Sequence, residues 1–230
     1  MNKMNFTLQA KTGDKLITLD YQNLFAIGYA GRNMEKTMAH IKELEEELGV
    51  APPKKIPTIF QCANLLLTQD KTMHMVGNYT SGEVEYVVLL DGSKVYIGVG
   101  SDHTDRALEK VSVLKSKQVC PKPIGPVLWD YDEIKDHFDQ IIIQSWQVIN
   151  GQKVLYQDGK LSDIMPLEKT LPELKSRVGD IGNAVVFSGT VPLKEGFKYG
   201  QTFIGQLKDE ILGRAITCEY NILSVTEEER

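Results

Sequence analysis

The sequence predicts an α+β fold: a strand-rich mixed β-sheet, not doubly wound, with a few short helices. Three observations predict it. Hairpin signals recur at Lys11-Thr12-Gly13-Asp14, Leu90-Asp91-Gly92-Ser93 and Asn150-Gly151. The apolar segments between turns are mostly short and either alternating or continuously apolar, as strands are. Only residues 34–48 carry a long helical repeat. Strands therefore outnumber helices, and hairpin-like connections argue against regular βαβ crossovers.

Taken in order, residues 4–10 and 15–20 alternate as the arms of the first hairpin, and 23–29 form an apolar strand. Gly31-Arg32-Asn33 is a break with Asn33 as helix N-cap. In the helix 34–48, Met34, Met38, Ile41, Leu44 and Leu48 make one apolar stripe, and Gly49 ends it. Ala51 to Pro57 is a proline-rich extended connector. Strands follow near 58–67 and 72–78, then the hairpin carrying Glu83 and Glu85. Thr104 or Asp102 is placed to cap a short helix over 105–109. Residues 111–114 and 127–129 read as strands and Tyr131 to Phe138 as one or two helical turns. Gln140 to Ile149 and Gln152 to Gln157 form the Asn150-Gly151 hairpin. One helix is expected within 161–174, and strands at 184–187, 201–207 and 214–223. A single domain over 1–230 is expected, with 1–57 supplying N-terminal strands and a possible lid helix, and 58–230 the core.

Composition narrows the function classes. The 230 residues are 42% hydrophobic and 25% charged, with a formal net charge of -5. No basic patch suggests nucleic acid as a partner. No apolar run approaches a membrane span, and the N-terminal MNKMNFTLQAKTGDK lacks the apolar core of a secretory signal. Cys62, Cys120 and Cys218 are odd in number and widely spaced, implying neither a disulfide framework nor a zinc site. A reducing cytoplasm is the expected location.

The chemistry concentrates in SGEVEYVVLLDGSKVYIGVGSDHTDR. Glu83 and Glu85 are two apart on a strand and so share a face. Adjacent carboxylates do not both stay ionised without compensation, and a hard divalent cation is the natural partner. If Leu90 pairs with Ser93, Glu85 faces Gly98 and Glu83 faces Gly100. Asp102 follows on the same face, so three carboxylates would border a glycine-lined hollow. A half-solvated strand with polar residues outward is the alternative.

These residues resemble the fumarylacetoacetate hydrolase superfamily, most closely an uncharacterised bacterial branch of it. Glu83-Val84-Glu85 is similar to the family's metal-binding E-x-E. Ser101-Asp102-His103-Thr104-Asp105-Arg106 is similar to N-D-V-x-A-R, departing at Ser101, His103 and Asp105. Lys115-Ser116-Lys117-Gln118-Val119-Cys120-Pro121 resembles K-S-F-D-x-F-C-P, one residue short, and runs into Ile124-Gly125-Pro126. Val185 to Pro192 resembles I-L-T-G-T-P. Phe25 to Tyr29 resembles the V-G-x-N-Y opening without its asparagine, and His40-Ile41-Lys42-Glu43-Leu44 resembles H-A-K-E-L.

The resemblance implies Mg²⁺ or Mn²⁺ held by Glu83, Glu85 and Asp102. His103 is a possible added ligand, and zinc is disfavoured for want of a Cys/His cluster. It implies a His40–Glu43 acid/base dyad on a segment that can act as a lid, although any histidine on this glutamate-rich helix has a glutamate nearby. Lys115 is the substrate-contacting lysine, with Lys117 its rival because of the missing residue. Arg106 contacts a substrate carboxylate or else pairs with Asp102 or Asp105. Gly189 and Thr190 wall the pocket, with Tyr29 a further candidate. The implied activity is hydrolytic C–C cleavage of a 2-oxo acid or 1,3-dicarbonyl through a metal-stabilised enolate. Decarboxylation, hydration and isomerisation share that chemistry, and a non-catalytic protein binding metal or a small acid is the alternative from another class. The implied partners are a small carboxylate substrate and a second copy in a homodimer.

Overall fold

The computed structural model describes residues 2–226. An eight-stranded sheet organises the chain. Its spatial order is Gly13–Tyr21, Asn2–Ala10, Val127–Asp130, Lys94–Ser101, Val84–Asp91, Ala184–Phe187, Asn23–Gly28, Thr58–Cys62. The pairings are mixed: Val127–Asp130 runs parallel to Asn2–Ala10, and Ala184–Phe187 parallel to Asn23–Gly28. A five-stranded sheet, ordered Gln152–Lys160, Ile142–Ile149, Thr202–Asp209, Arg214–Val225, Thr72–Val76, covers one face. The expected strand-rich α+β architecture is the observed one.

Val84–Asp91 lies in the middle of the large sheet, and its two faces feed different cores. Val84, Tyr86 and Val88 join Phe203, Leu207, Ile216 and Tyr220 of the smaller sheet. Val87 and Leu89 join Phe6, Leu8 and Leu19 of the first hairpin, with Leu128 and Phe187. Burial on both faces gives this strand its continuous apolar run. Glu85 is the one charged residue within that run, and it is 2% exposed. The N-terminal strands are therefore woven into the sheet that carries the carboxylates.

The hairpin turns at 11–12 and 150–151 are where local sequence puts them. Asn150 and Gly151 have φ of 51° and 78°, as a type I′ turn requires. The Glu85 hairpin differs. Its turn is Gly92-Ser93, closed by Asp91 opposite Lys94, so Glu85 faces Gly100 and Val87 faces Gly98. The two-residue change keeps every side chain on its expected face but removes the hollow. A Cβ on Gly100 would stand 2.7 Å from both Phe187 Cε1 and Pro123 O.

The helix Met34–Leu48 has its expected bounds. Asn33 Oδ1 accepts the Lys36 N–H at 3.1 Å, and Gly49 ends it with φ 67°. Its inward residues differ: Thr37 and Ile41 are buried, whereas Met34 and Met38 are about half exposed. The side chains of Leu44 and Leu48 lie outside the described residues. The expected strand at 111–114 is instead the start of a helix, Val113–Gln118, because Ser112 caps it by accepting the Lys115 N–H at 3.3 Å. No helix among the described residues is long and apolar enough to cross a membrane. The three cysteines are free thiols, each buried.

Candidate active site

The site forms where the two central strands of the large sheet end. Past Ser101 the chain bends through Asp102 and His103, then Thr104-Asp105 pairs with Thr80-Ser81. That short ladder sets Arg106 beside Ser81. Asp105 Oδ1 accepts the N–H groups of Ala107 and Leu108 at 2.9 and 3.0 Å, seeding the helix Arg106–Glu109. Asp105 is thus the cap, not Thr104 or Asp102. The helix Val113–Gln118 follows and turns Ser116 and Lys117 inward. Lys122-Pro123 then pairs parallel to Leu67-Thr68, which buries Lys122.

Asp102 sits between two buried ammonium groups. Lys117 Nζ donates to its Oδ2, and Lys122 Nζ stands 3.0 Å from Oδ1 while donating to the His103 carbonyl. Burial opposes the Asp102 charge, but the two lysines overcome it and hold the carboxyl well below its usual range. Lys117 is likewise opposed by burial, yet is held charged by Asp102, Glu83 and Glu109.

Glu85 is relieved only in part, by Lys117 and by one backbone hydrogen bond. Its Oε2 accepts the Gly189 N–H at 2.9 Å. Burial first, and the neighbouring Asp102 charge second, push its carboxyl well above the usual range. Gly189 has φ 90°, and a Cβ there would meet Ala30 Cβ at 2.8 Å and Ile27 O at 3.0 Å, so only glycine brings this N–H to Glu85. Thr190 Oγ1 bonds the Val84 carbonyl and accepts from Gln157 Nε2 at 2.7 Å. Gln157, wholly buried, also binds the Val84 N–H, Ser145 and Val191, so it ties the Thr190 loop to the Glu85 strand.

Arg106 is saturated by protein groups. Its Nε donates to Ser81 Oγ at 2.8 Å, Glu83 Oε2 lies 3.3 Å from Nη2, and Glu109 lies 3.2 Å from Nη1. Its face rests on the Phe197 ring. The expected partners Asp102 and Asp105 are not the ones it takes, and no fork remains for a substrate carboxylate. Glu83 is consequently turned to Arg106. Tyr29, half-buried with φ 55°, is a non-glycine residue in the left-handed region, a strain that tends to persist at functional sites. Burial raises its hydroxyl pKa, followed by the charge of Glu109.

Of the two rival lysines, Lys115 is exposed and Lys117 is buried on Asp102. The motif, one residue short, favours Lys115, two positions away from the buried lysine; the helix begun at Ser112 decides the inward position as Lys117. Lys115→Ala is expected to change stability by no more than about 0.5 kcal/mol. Lys117→Ala, which removes a buried charged hydrogen bond, is expected to cost about 1–3 kcal/mol; paired thermal melts would check both. The side chains of His40 and Glu43 lie outside the described residues. His103 is wholly buried, with Nδ1 2.7 Å from the Tyr220 hydroxyl. Burial, then Lys122 and Arg106, keep its ring neutral. Sequence reading missed Lys122 and Glu109. Glu109 was findable as the residue three beyond Arg106 on a predicted helix.

Among the described residues no three histidine, cysteine or carboxylate side chains already converge as a metal cluster. The donor chemistry nevertheless suits a hard divalent ion. Asp102 Oδ1 is buried and makes no hydrogen bond despite the nearby Lys122. Among the described residues, none forms an ion pair with Glu85. Both are carboxylates, as Mg²⁺ and Mn²⁺ prefer. Two surface depressions lie elsewhere, one beside Tyr131 and Glu168, the other beside Leu66 and His74.

Solved structures of the fumarylacetoacetate hydrolase superfamily share this fold. The crystal structure of Cg1458 is 12% identical with a TM-score of 0.65, over 97% of this chain and 100% of that one. A hexagonal crystal form of 2-keto-3-deoxyarabinonate dehydratase is 18% identical with a TM-score of 0.68, over 94% and 78%. A structure of 2-keto-3-deoxy-D-arabinonate dehydratase complexed with magnesium and 2,5-dioxopentanoate is 16% identical with a TM-score of 0.65, again over 94% and 78%. At these identities the likeness establishes the fold. No curated protein matches the chain. The model of DUF2848, a family described as a protein of unknown function, matches residues 27–220, and the chain therefore belongs to the DUF2848 family.

Proposed function

We propose that this chain is a divalent-metal-dependent enzyme acting on a 2-oxo acid through an enolate. The observation that carries the reading is Glu85: a wholly buried carboxylate beside a second carboxylate, Asp102, inside an otherwise apolar strand. An unpaired buried charge is costly, and a bound cation would remove the cost. Glu85 and Asp102 would hold the ion, joined by Glu83 through the carboxylate oxygen that Arg106 does not take, with Mg²⁺ or Mn²⁺ the suitable species. When bound, the ion would supply Lewis-acid polarisation of the 2-oxo and carboxylate oxygens.

The protein's own groups do the rest. Lys117 and Lys122 fix Asp102 and keep it ionised. Lys117 also brings positive charge to where an enolate oxygen would develop. The Gly189 N–H orients Glu85, and Gln157 holds the Thr190 loop as the opposite wall. Tyr29, which feels the charges of Glu109, Lys117 and Glu83, would be a further wall of the pocket. His40 with Glu43, three apart on the helix Met34–Leu48, is the proposed proton-handling pair.

Two outcomes at the enolate are open to this arrangement. The motif resemblance favours hydrolytic C–C cleavage of an acylpyruvate-like substrate. The fold likeness to a dehydratase whose structure is complexed with magnesium favours loss of water from a 2-keto-3-deoxy sugar acid. Incubating the protein and Mg²⁺ with both substrate classes, with products read by mass spectrometry, separates them: cleavage gives two fragments and dehydration one product lighter by a water. Metal-dependent consumption of either class, lost in Glu85→Gln, is the expected result. Consumption of neither by the folded, metal-supplied protein would overturn the proposal.

A further inference from the structure

We propose that Glu109 makes this site selective for 2-oxo acids whose tail is uncharged and hydroxyl-bearing, and sets it against dicarboxylates. The inference rests on the 2-oxo-acid reading above and adds the residue that fixes the charge of the substrate. Glu109 closes the short helix begun by Asp105, and both its oxygens approach Arg106 Nη1, at 3.3 and 3.2 Å. With Glu83 on Nη2 and Ser81 on Nε, the guanidinium that would otherwise clamp a second carboxylate is occupied.

Glu109 also bears electrostatically on the groups proposed to line the substrate space. After burial, its charge is the foremost influence on the Tyr29 hydroxyl, and it acts on Lys117 and Tyr199 as well. Its side chain keeps 17% exposure and that of Glu83 keeps 19%, whereas Asp102 keeps 2%. The two glutamates therefore form the outer, solvent-facing part of the site. Carboxylate oxygens there accept from hydroxyl donors and repel another carboxylate.

The charge count agrees. Glu83, Glu85, Asp102 and Glu109 exceed Arg106, Lys117 and Lys122 by one. A divalent cation turns that single negative charge into a single positive one, which one substrate carboxylate neutralises. A second carboxylate would arrive uncompensated, against Glu83 and Glu109.

The test uses the full chain with Mg²⁺ and calorimetric competition. Oxalate first establishes that the metal site takes a chelating acid. A 2-keto-3-deoxy aldonate and 2-oxoglutarate are then compared on wild type, Glu109→Gln and Glu109→Asp, each checked for folding by circular dichroism. Wild type is expected to prefer the aldonate by about tenfold or more, since like-charge juxtaposition is strongly unfavourable. Glu109→Gln is expected to lose most of that preference and Glu109→Asp to keep it. Equal affinity in wild type, or a preference unmoved in folded Glu109→Gln, would overturn the assignment. Failure of wild type to bind oxalate with Mg²⁺ would instead overturn the 2-oxo-acid reading, and this inference with it.

Discussion

Asp102→Ala is expected to destabilise the protein by about 3–5 kcal/mol, the usual cost of removing one partner from a buried ion pair. For a chain of this size that corresponds to a fall in Tm of about 6–20 °C. The reason is charge rather than volume. Asp102 is the common partner of Lys117 and Lys122, both inside the protein, and deleting it leaves two ammonium groups without their carboxylate. Asp102→Asn should therefore cost nearly as much as alanine. The pH dependence has a definite sign. The folded-state carboxyl is held below its ordinary value of 3.8, so its contribution is complete above that value and is lost only as pH falls further toward the depressed one. Denaturant melts of wild type and variant at several pH values should show a constant gap near neutrality that narrows below about pH 4. A small, pH-independent gap would mean the lysines do not depend on Asp102.

Glu85→Gln is expected to act in the opposite direction without metal, raising stability by roughly 0.5–2 kcal/mol, as relieving a local conflict commonly does. Gln keeps an oxygen for the Gly189 N–H and drops the charge. The carboxyl of Glu85 is raised well above its ordinary 4.5 in the folded state. Below pH 4.5 both states are protonated and nothing is lost. As pH rises above that value the unfolded chain ionises first, so the folded state of wild type loses stability until its own raised pKa is passed. The benefit of Glu85→Gln should accordingly grow from pH 4.5 upward. Saturating Mg²⁺ should reverse the order, because only wild type gains from binding; at one hundred times the dissociation constant that gain is about 2.7 kcal/mol. Melts of both proteins with and without Mg²⁺ measure this directly.

The parts of the fold legible in the sequence are those specified locally. Asn150-Gly151 demands a left-handed pair, Asn33 and Gly49 bracket a helix, and the apolar run at 184–187 is buried on both faces. Each is decided by residues within a turn of one another. Glu85 was legible as a strand carboxylate, but Glu83 was not: it precedes the strand Val84–Asp91, and its carboxylate turns to Arg106 instead of sharing a strand face with Glu85. What failed depended on distant partners. The register of the Glu85 hairpin turned on whether Asp91 or Gly92 opens the loop, and a glycine opposite a carboxylate could not reveal that Phe187 fills its space. Ser112, a helix cap, sits among β-branched and apolar residues that read as a strand. Met34 and Met38 follow the helical period yet stay half exposed, because periodicity gives a face and not the depth of its burial. Arg106 read in sequence as a substrate contact or a partner of Asp102 or Asp105; its saturation by Ser81, Glu83 and Glu109 exists only once the Thr80–Ser81 ladder has formed.

The central claim is that Glu85 and Asp102 form a divalent-cation site. A calorimetric titration of Mg²⁺ into metal-free wild type and Glu85→Gln, with and without oxalate, tests it most directly. Saturable binding at one ion per chain, strengthened by oxalate and lost in Glu85→Gln, is the predicted result. Wild type showing no saturable binding at about millimolar metal, a Kd that would amount to only about 4 kcal/mol, or Glu85→Gln binding as wild type does, would contradict it.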